Sequence, residues 1–261
     1  YVARALCDRR RGIGGDGVLT IGPATSAQAS ASMRVLNSDG SEAEMCGNGL
    51  RCVAAYLLRE HLTATSITID TGAGPLRCSA TRDSEGITSI SVEMGAAHLQ
   101  RAEIPMKGEP LEHCLLVPYQ LAGRNLELSA VSMGNPHAVA FVPEAGDSLL
   151  ALAKHLGPLI ENHSDFPKRC NAEFARLESP DKIELVVWER GCGITQACGT
   201  GACATVVAAC LAGHCSVDSE VGVQLLGGDL AIRVANDYSQ VIMRGPAEHV
   251  FDGNIDLSHL G

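Results

Sequence analysis

The sequence lacks the features that mark several large classes of protein. No apolar run is long enough to span a membrane. The formal net charge of −10 leaves no basic stripe for a nucleic-acid partner. No signal peptide is visible, although the chain begins at Tyr1 and not at a methionine. These absences predict a globular cytoplasmic protein whose partner is a small molecule, not a nucleic acid or a membrane.

The cysteines lack the spacing of a metal site or a disulfide scaffold. Eleven are spread along 261 residues, and no two form a Cys-x-x-Cys pair. An odd number in a chain of this length does not fit a secreted disulfide framework. Most of the thiols are therefore predicted to be small buried hydrophobes in a reducing cytosol. Cys52, Cys203 and Cys210 fall on helical runs and are predicted to pack in the core.

Signatures of the common cofactors are missing as well. The sequence contains no Gly-x-x-x-x-Gly-Lys-Ser/Thr loop and no obvious lysine site for pyridoxal phosphate. Residues 12–17 match Gly-x-Gly-x-x-Gly in letters. A strand is predicted after them, over 18–21, where the dinucleotide motif needs a helix. We therefore expect neither a cofactor nor a metal.

What the sequence does contain is an internal repeat. Residues 46–49 read Cys-Gly-Asn-Gly, and residues 198–201 read Cys-Gly-Thr-Gly. A strand-like run precedes each, at 33–36 and 185–188, and a helical apolar pattern follows each. A strand, a glycine turn and a second strand come next in both halves. The pattern predicts an α/β fold made of two similar domains.

The chain is predicted to contain two half-domains. The first is expected to comprise residues 1–93 and 249–261, and the second residues 94–248. The segment 131–139 precedes Cys198 in the second half, and its counterpart in the first half would lie before residue 1. The first strand segment of the N-terminal domain is therefore expected to be missing from this chain.

Each repeated cysteine is predicted to lie just before a helix. The free N–H groups and partial positive charge of a helix N-terminus lower the pKa of a thiol and can hold a carboxylate. Two such sites suit inversion of an α-carbon: one thiolate removes the α-proton, and a thiol on the other face returns one. We therefore predict that Cys46 and Cys198 are a paired acid and base with lowered pKa values.

Longer motifs around both cysteines resemble those of the diaminopimelate epimerase family. Residues 37–49, Asn-Ser-Asp-Gly-Ser-Glu-Ala-Glu-Met-Cys-Gly-Asn-Gly, resemble its first cysteine motif, and residues 188–201 resemble its second. Residues 132–137 and 170–174 are similar to two further family segments. The similarity runs over nearly the whole chain. One departure is the family's N-terminal strand, with its Gly-Asn-Asp-Phe-like segment, which has no counterpart here.

This resemblance implies a fold, a reaction and a set of site residues. It implies two pseudo-symmetric α/β domains, each a curled sheet around a central helix. It also implies cofactor-independent interconversion of LL- and meso-diaminopimelate, in lysine biosynthesis. The implied acid/base pair and its helpers are Cys46, Cys198, His137 and Glu189. The backbone N–H groups implied to hold the reacting carboxylate belong to Gly47, Asn48, Gly199 and Thr200. The residues implied at the distal end of the substrate or near it are Asn37, Asn171, Arg190, Asn135 and Glu189.

Two other functions stay open at this point. One is a related two-cysteine racemase or epimerase that acts on proline, hydroxyproline or histidine. A polar distal pocket would disfavour proline, but it does not exclude histidine. The other is a non-catalytic thiol redox protein. The sequence also leaves a homodimer open as the assembly.

Overall fold

The computed structural model describes residues 1–43, 46–60, 64–143 and 148–256. The chain divides into two compact units. The first comprises Tyr1–Val92 and Gly245–Gly261, and the second comprises Glu93–Arg244. The predicted domain bounds, 1–93 with 249–261 and 94–248, stay a prediction.

The first unit carries two helices and a mixed sheet. Its elements are α1 (Val2–Cys7), β1 (Gly17–Gly22), β2 (Ala31–Asn37), β3 (Glu42–Ala43), α2 (Gly47–Glu60), β4 (Ser66–Thr71), β5 (Gly74–Arg82) and β6 (Ile87–Gly95). The strands lie in the order β1-β2-β4-β5-β6, and β3 pairs with β2. β2 and β4 are parallel, with α2 in the connection between them, and the other pairs are antiparallel.

Helix α2 is amphipathic. Its buried residues include Leu50, Val53, Ala54 and Leu58, whose spacing of three or four residues places them on the face that packs against β4 and β5. Cys52 lies on the other face and is exposed. The prediction that Cys52 packs in the core is therefore wrong, because it rested on helical position without regard to which face is buried.

A buried carboxylate on β4 holds the loop between β1 and β2. Asp70 accepts hydrogen bonds from the backbone N–H and the hydroxyl of both Thr25 and Ser26, at 2.7–2.8 Å. These four bonds, led by the Ser26 hydroxyl, lower the pKa of Asp70 to about 2. The carboxylate therefore stabilises this loop as an anion.

The second unit is larger. Its elements are β7 (Val117–Leu121), β8 (Arg124–Ser132), β9 (Pro136–Phe141), α3 (Leu149–Glu161), β10 (Asn171–Ser179), β11 (Lys182–Glu189), β12 (Gly193–Ile194), α4 (Gly199–Leu211), β13 (Glu220–Leu225), β14 (Gly228–Val234) and β15 (Val241–Gly245). The strands lie in the order β15-β14-β13-β11-β10-β9-β8-β7, and β12 pairs with β11. Helices α3 and α4 lie in the connections of the two parallel pairs, β9 with β10 and β11 with β13.

Helix α4 is the buried centre of the second unit. Every residue from Gly201 to Cys210 is buried, and the helix contacts β8, β9, β10 and β14. A helix that is apolar on all sides is typical of a core element. The prediction of buried positions for Cys203 and Cys210 is confirmed.

The fold confirms the α/β class and the internal repeat. In the first unit the order is β2, Cys46, α2, β4, β5. In the second unit it is β11, Cys198, α4, β13, β14. No helix in the described part of the chain is both long and apolar enough to cross a membrane.

Candidate active site

The first cysteine site lies at the start of α2. The Cys46 carbonyl accepts the first helical hydrogen bond, from Leu50 N–H at 2.8 Å. The Cys46 Sγ accepts a hydrogen bond from Gly49 N–H at 3.3 Å. A Cβ at residue 49 would lie 2.7 Å from Leu19 Cδ2, so the glycine leaves room for the Leu19 side chain beside the thiol. The thiol thus contacts one N–H group in the first turn of the helix.

Asn37 ends β2 within the same unit. Its side-chain amide donates to Ser41 Oγ at 2.9 Å, and its residue is exposed. Gly47 and Asn48 form the first turn of α2. Residues 44 and 45 of the predicted first motif lie outside the described residues.

The second cysteine site lies at the start of α4. Cys198 is the N-cap residue, and its carbonyl accepts from Ala202 N–H at 3.0 Å. Its Sγ lies 3.6 Å from the Thr200 Oγ1. The side chain is buried, with 7% of the residue exposed. Gly199 and Thr200 supply the first N–H groups of the helix, where a carboxylate could bind.

His137 connects this helix end to a buried carboxyl group. It lies on β9, and its Nδ1 is 2.7 Å from Glu173 Oε1 on the neighbouring strand β10. Its Nε2 is 2.9 Å from Asn135 Oδ1. Both His137 and Glu173 are completely buried. Asn135 Nδ2 in turn donates to Thr200 Oγ1 at 3.5 Å.

Five side chains therefore form one hydrogen-bonded chain inside the second unit. We call it the Glu173–Cys198 chain; its members are Glu173, His137, Asn135, Thr200 and Cys198. Four of the five were predicted site residues, and Glu173 was missed. A signal was available, since Glu173 is the one charged residue in the buried run 171–175 of β10.

The pKa of Cys198 corrects the expectation from the helix N-terminus. Burial raises the pKa of this thiol well above its ordinary value, and the charges of Glu189 and Glu173 raise it further. Hydrogen bonds from the Thr200 hydroxyl and the Gly201 N–H lower it, but they do not prevail. In the second unit the prediction of a lowered pKa is wrong, because desolvation exceeds the effect of the helix end.

Glu189 is the last residue of β11. Its Oε1 accepts the hydroxyl of Thr195 at 2.6 Å. The charge of Glu189 raises the pKa of the Cys198 thiol.

Asn171 and Arg190 meet through the backbone. Asn171 is buried; its Nδ2 donates to the Pro136 carbonyl at 3.2 Å, and its Oδ1 accepts Arg190 N–H at 2.9 Å. The Arg190 guanidinium donates to the Lys168 carbonyl at 3.1 Å. Asn171 thus joins the start of β9 to the turn after β11, and Arg190 is half-buried.

A second buried carboxylate, which the sequence analysis missed, holds that turn. Glu161 at the end of α3 accepts from Trp188 Nε1 at 2.7 Å and from Gly191 N–H at 2.9 Å. Arg169 donates to it at 3.0 Å. Glu189 and Arg190 lie between the two residues that Glu161 binds, so this carboxylate fixes the backbone that carries them.

The two cysteine sites and their flanking segments match a known family. The family model described as diaminopimelate epimerase matches residues 1–100 and 129–250. The chain belongs to the diaminopimelate epimerase family. Among relatives with this name, the protein of Bacillus cytotoxicus is 44% identical over 253 residues, which cover 97% of this chain and 86% of the relative. That of Desulforudis audaxviator is 46% identical, with coverage of 97% and 88%.

Solved structures with more distant sequences share the fold of this diaminopimelate epimerase family member. A hydroxyproline epimerase from Agrobacterium vitis has a TM-score of 0.67 at 17% identity, covering 93% of this chain and 75% of its own. A probable proline racemase from Agrobacterium radiobacter also has a TM-score of 0.67 at 17% identity, with coverage of 95% and 80%. At this identity the likeness concerns the fold alone. The predicted family and fold class are confirmed.

Proposed function

We propose that this protein interconverts LL- and meso-diaminopimelate without a cofactor, with Cys46 and Cys198 as the acid/base pair. The observation that carries the proposal is the matched placement of the two cysteines. Each immediately precedes a helix in a member of the diaminopimelate epimerase family. The relatives that match 97% of this chain support the same reaction by their name.

The chemistry follows from the two helix ends. In one direction a thiolate removes the α-proton, and the other cysteine gives a proton to the opposite face. The carboxylate next to the reacting carbon would bind the N–H groups of Gly47, Asn48, Gly199 and Thr200. As the α-proton leaves, negative charge spreads onto that carboxylate, and these N–H groups stabilise it. The protein's own dipoles would thus replace a cofactor electron sink.

The resting protonation of Cys198 suits one role in this scheme. Since burial raises its pKa, Cys198 begins a turnover as a thiol and is ready to donate a proton. We propose that Glu189 and His137 assist at this end. After Cys198 has given up its proton, the Thr200 hydroxyl would stabilise the thiolate.

The distal amino-acid group of the substrate is assigned to polar residues. We propose that Arg190 binds the distal carboxylate, since a guanidinium can donate two parallel hydrogen bonds to it. Asn171 would act on Arg190 through the backbone bond described above. Asn37 and Asn135 are the other candidates for polar contact with the substrate.

The experiment that tests this function compares substrates. Purified protein is incubated in D2O with LL-diaminopimelate, meso-diaminopimelate, proline, hydroxyproline or histidine, and α-deuterium and stereoisomers are measured. We expect incorporation and interconversion with the two diaminopimelates only. Turnover of proline or histidine instead would favour the related racemases. No exchange with any of the five would favour a non-catalytic thiol protein.

We further propose that the protein acts in the cytoplasm as a homodimer. Support for the location is that eleven cysteines, an odd number without a Cys-x-x-Cys pair, do not fit a secreted disulfide framework. Light scattering coupled to gel filtration measures the assembly directly; a mass of one chain would contradict the dimer.

A further inference from the structure

We propose that Glu173 is a positioning residue that keeps a hydrogen on Nε2 of His137 and thereby directs the hydroxyl hydrogen of Thr200 at the Cys198 sulfur. The part of this proposal that concerns catalysis rests on the proposed epimerisation. The placement of the hydrogens does not.

The direction of the hydrogen bonds follows from what each atom can do. Asn135 presents Oδ1 to the His137 Nε2, at 2.9 Å. A carbonyl oxygen only accepts, so Nε2 must carry the hydrogen. Asn135 Nδ2 only donates, so Thr200 Oγ1 accepts its hydrogen. The hydroxyl's own hydrogen is then available for Cys198 Sγ at 3.6 Å.

The contact between His137 and Glu173 supplies the remaining proton. With Nε2 protonated, the 2.7 Å separation between Nδ1 and Oε1 needs one proton between them. Either a neutral carboxyl donates it to Nδ1, or an imidazolium donates it to the carboxylate. Both arrangements leave a hydrogen on Nε2. The His137–Glu173 pair thus holds two protons. In both arrangements His137 Nε2 donates its hydrogen to Asn135 Oδ1.

Burial makes this arrangement hard to replace. Both side chains are 0% exposed, so water is not at hand to bind Nδ1 if the carboxyl is removed. Burial also raises the pKa of Glu173, although the neighbouring His137 works against this, and a protonated carboxyl is the form that can donate. An imidazole without Glu173 would lose the partner that fixes its ring.

Glycine at residue 201 leaves room for the carboxyl beside the thiol. A Cβ at this position would lie 3.0 Å from Glu173 Oε1 and 3.2 Å from Cys198 Sγ. Glu173 and Cys198, the two ends of the Glu173–Cys198 chain, therefore both lie next to Gly201 of α4. This proximity explains why the charge of Glu173 raises the pKa of the Cys198 thiol.

The placement of the hydrogens can be measured without any activity. Histidine labelled with ¹⁵N is incorporated into the full chain, and the His137 signals are assigned by their loss in His137→Gln. We expect a protonated Nε2 and an Nδ1 shifted from its bare value by the shared proton. An unprotonated Nε2 in the unchanged protein would overturn the proposal, whatever the enzyme does.

The action through Thr200 is tested by a double-mutant cycle. Glu173→Leu and Thr200→Val each replace one polar member of the Glu173–Cys198 chain by an apolar side chain of similar volume. The backbone N–H of residue 200 stays in place. We expect kcat to fall about tenfold or more in Glu173→Leu, with KM within about twofold. The double variant should be no more than about twofold below the worse single variant. Multiplying effects would mean that Glu173 does not act through Thr200.

Two further variants separate positioning from folding. Glu173→Gln can donate an amide hydrogen to Nδ1, so it should keep the protonated Nε2 and recover most of the kcat lost in Glu173→Leu. Glu184→Gln changes a carboxyl on the adjacent strand β11. This carboxyl pairs with Arg176 and is not a member of the Glu173–Cys198 chain, so the variant should behave like the unchanged protein. If Glu173→Leu does not fold, the Nε2 signal of the unchanged protein and the kcat of Glu173→Gln still test the proposal. Failure of the proposed function would leave the Nε2 result intact.

Discussion

The Glu161 carboxylate accepts the indole N–H of Trp188 at 2.7 Å, across the packed interface of α3 with β11. Gly157 allows this approach, since a Cβ there would lie 2.5 Å from Trp188 Cγ. The same carboxylate accepts the N–H of Gly191, so it binds the residues on both sides of Glu189 and Arg190. Glu161 thus fixes the backbone around two predicted site residues without belonging to any predicted motif.

Replacement of Glu161 by Leu should damage both stability and substrate binding. The change leaves the indole N–H of half-buried Trp188 without its acceptor, which costs about 1–3 kcal/mol when such a group stays unpaired. It also frees the N–H of the exposed Gly191, which water can bind. We expect a lower midpoint of urea unfolding and a raised KM for diaminopimelate, because Arg190 loses its fixed backbone. Glu178→Gln, which removes only an exposed ion pair with Lys182, is the control. An unchanged KM in a folded Glu161→Leu protein would contradict a role in holding the turn.

Removal of either repeated thiol should abolish epimerisation. Cys46→Ala and Cys198→Ala each take away one of the two proton-transfer groups, so we expect a loss of about 10²-fold or more in kcat. Cys52→Ala, in the exposed face of the same helix as Cys46, should keep activity within about twofold. The measurement is interconversion of the two diaminopimelates, followed by chiral chromatography. Near-normal turnover in either single variant would sink the two-cysteine scheme.

Neutralising Glu189 should make Cys198 more reactive while it lowers turnover. After burial, the charge of Glu189 is the largest cause that raises the pKa of this thiol. Glu189→Gln removes that charge but keeps an oxygen for the Thr195 hydroxyl, so the pKa falls and more thiolate forms at a given pH. We expect alkylation of Cys198 by iodoacetamide at pH 8 to be about threefold faster or more.

Peptide mapping by mass spectrometry assigns the alkylation to each cysteine. Glu184→Gln serves again as the control, because Glu184 lies on the same strand and is not among the groups that affect the pKa of Cys198. A rate at Cys198 that is equal or slower in Glu189→Gln would mean that Glu189 does not act on the thiol.

The carboxylate of Asp70 should make the first unit sensitive to acid. Its pKa is about 2 in the folded protein, below its ordinary value of 3.8. The stability it contributes is therefore complete above about pH 4 and is lost as the pH falls towards 2. We expect Asp70→Asn to lower the melting temperature at pH 7, and the difference from the unchanged protein to shrink by pH 2.5. The melting temperature is followed by circular dichroism.

A matched variant separates this effect from the general effect of an amide. Asp83 accepts the N–H groups of Glu85 and Gly86 in an exposed turn of the same unit. Asparagine supports such a turn, so Asp83→Asn should change little at any pH. A difference between Asp70→Asn and the unchanged protein that persisted at pH 2.5 would point to packing, not to the charge of Asp70.

The sequence by itself determined the fold class, the repeat and the two cysteines. These follow from local pattern: alternation predicts the strands, apolar spacing predicts the helices, and Cys-Gly-x-Gly before a helix places each thiol at an N-terminus. The long motifs around Cys46 and Cys198 then indicated the family. None of these inferences needed to know which strands are neighbours.

The tertiary structure alone decided the environment of those residues. Glu173 reaches His137 because β9 and β10 pair in parallel, and Glu161 reaches the turn after β11 because α3 packs there. Burial and the charges of Glu189 and Glu173 raise the pKa of Cys198 by more than the helix N-terminus lowers it. Both carboxylates lie on strands and not on the helix that follows the thiol. Desolvation and charge depend on distances in space, and a motif read along the chain does not contain them.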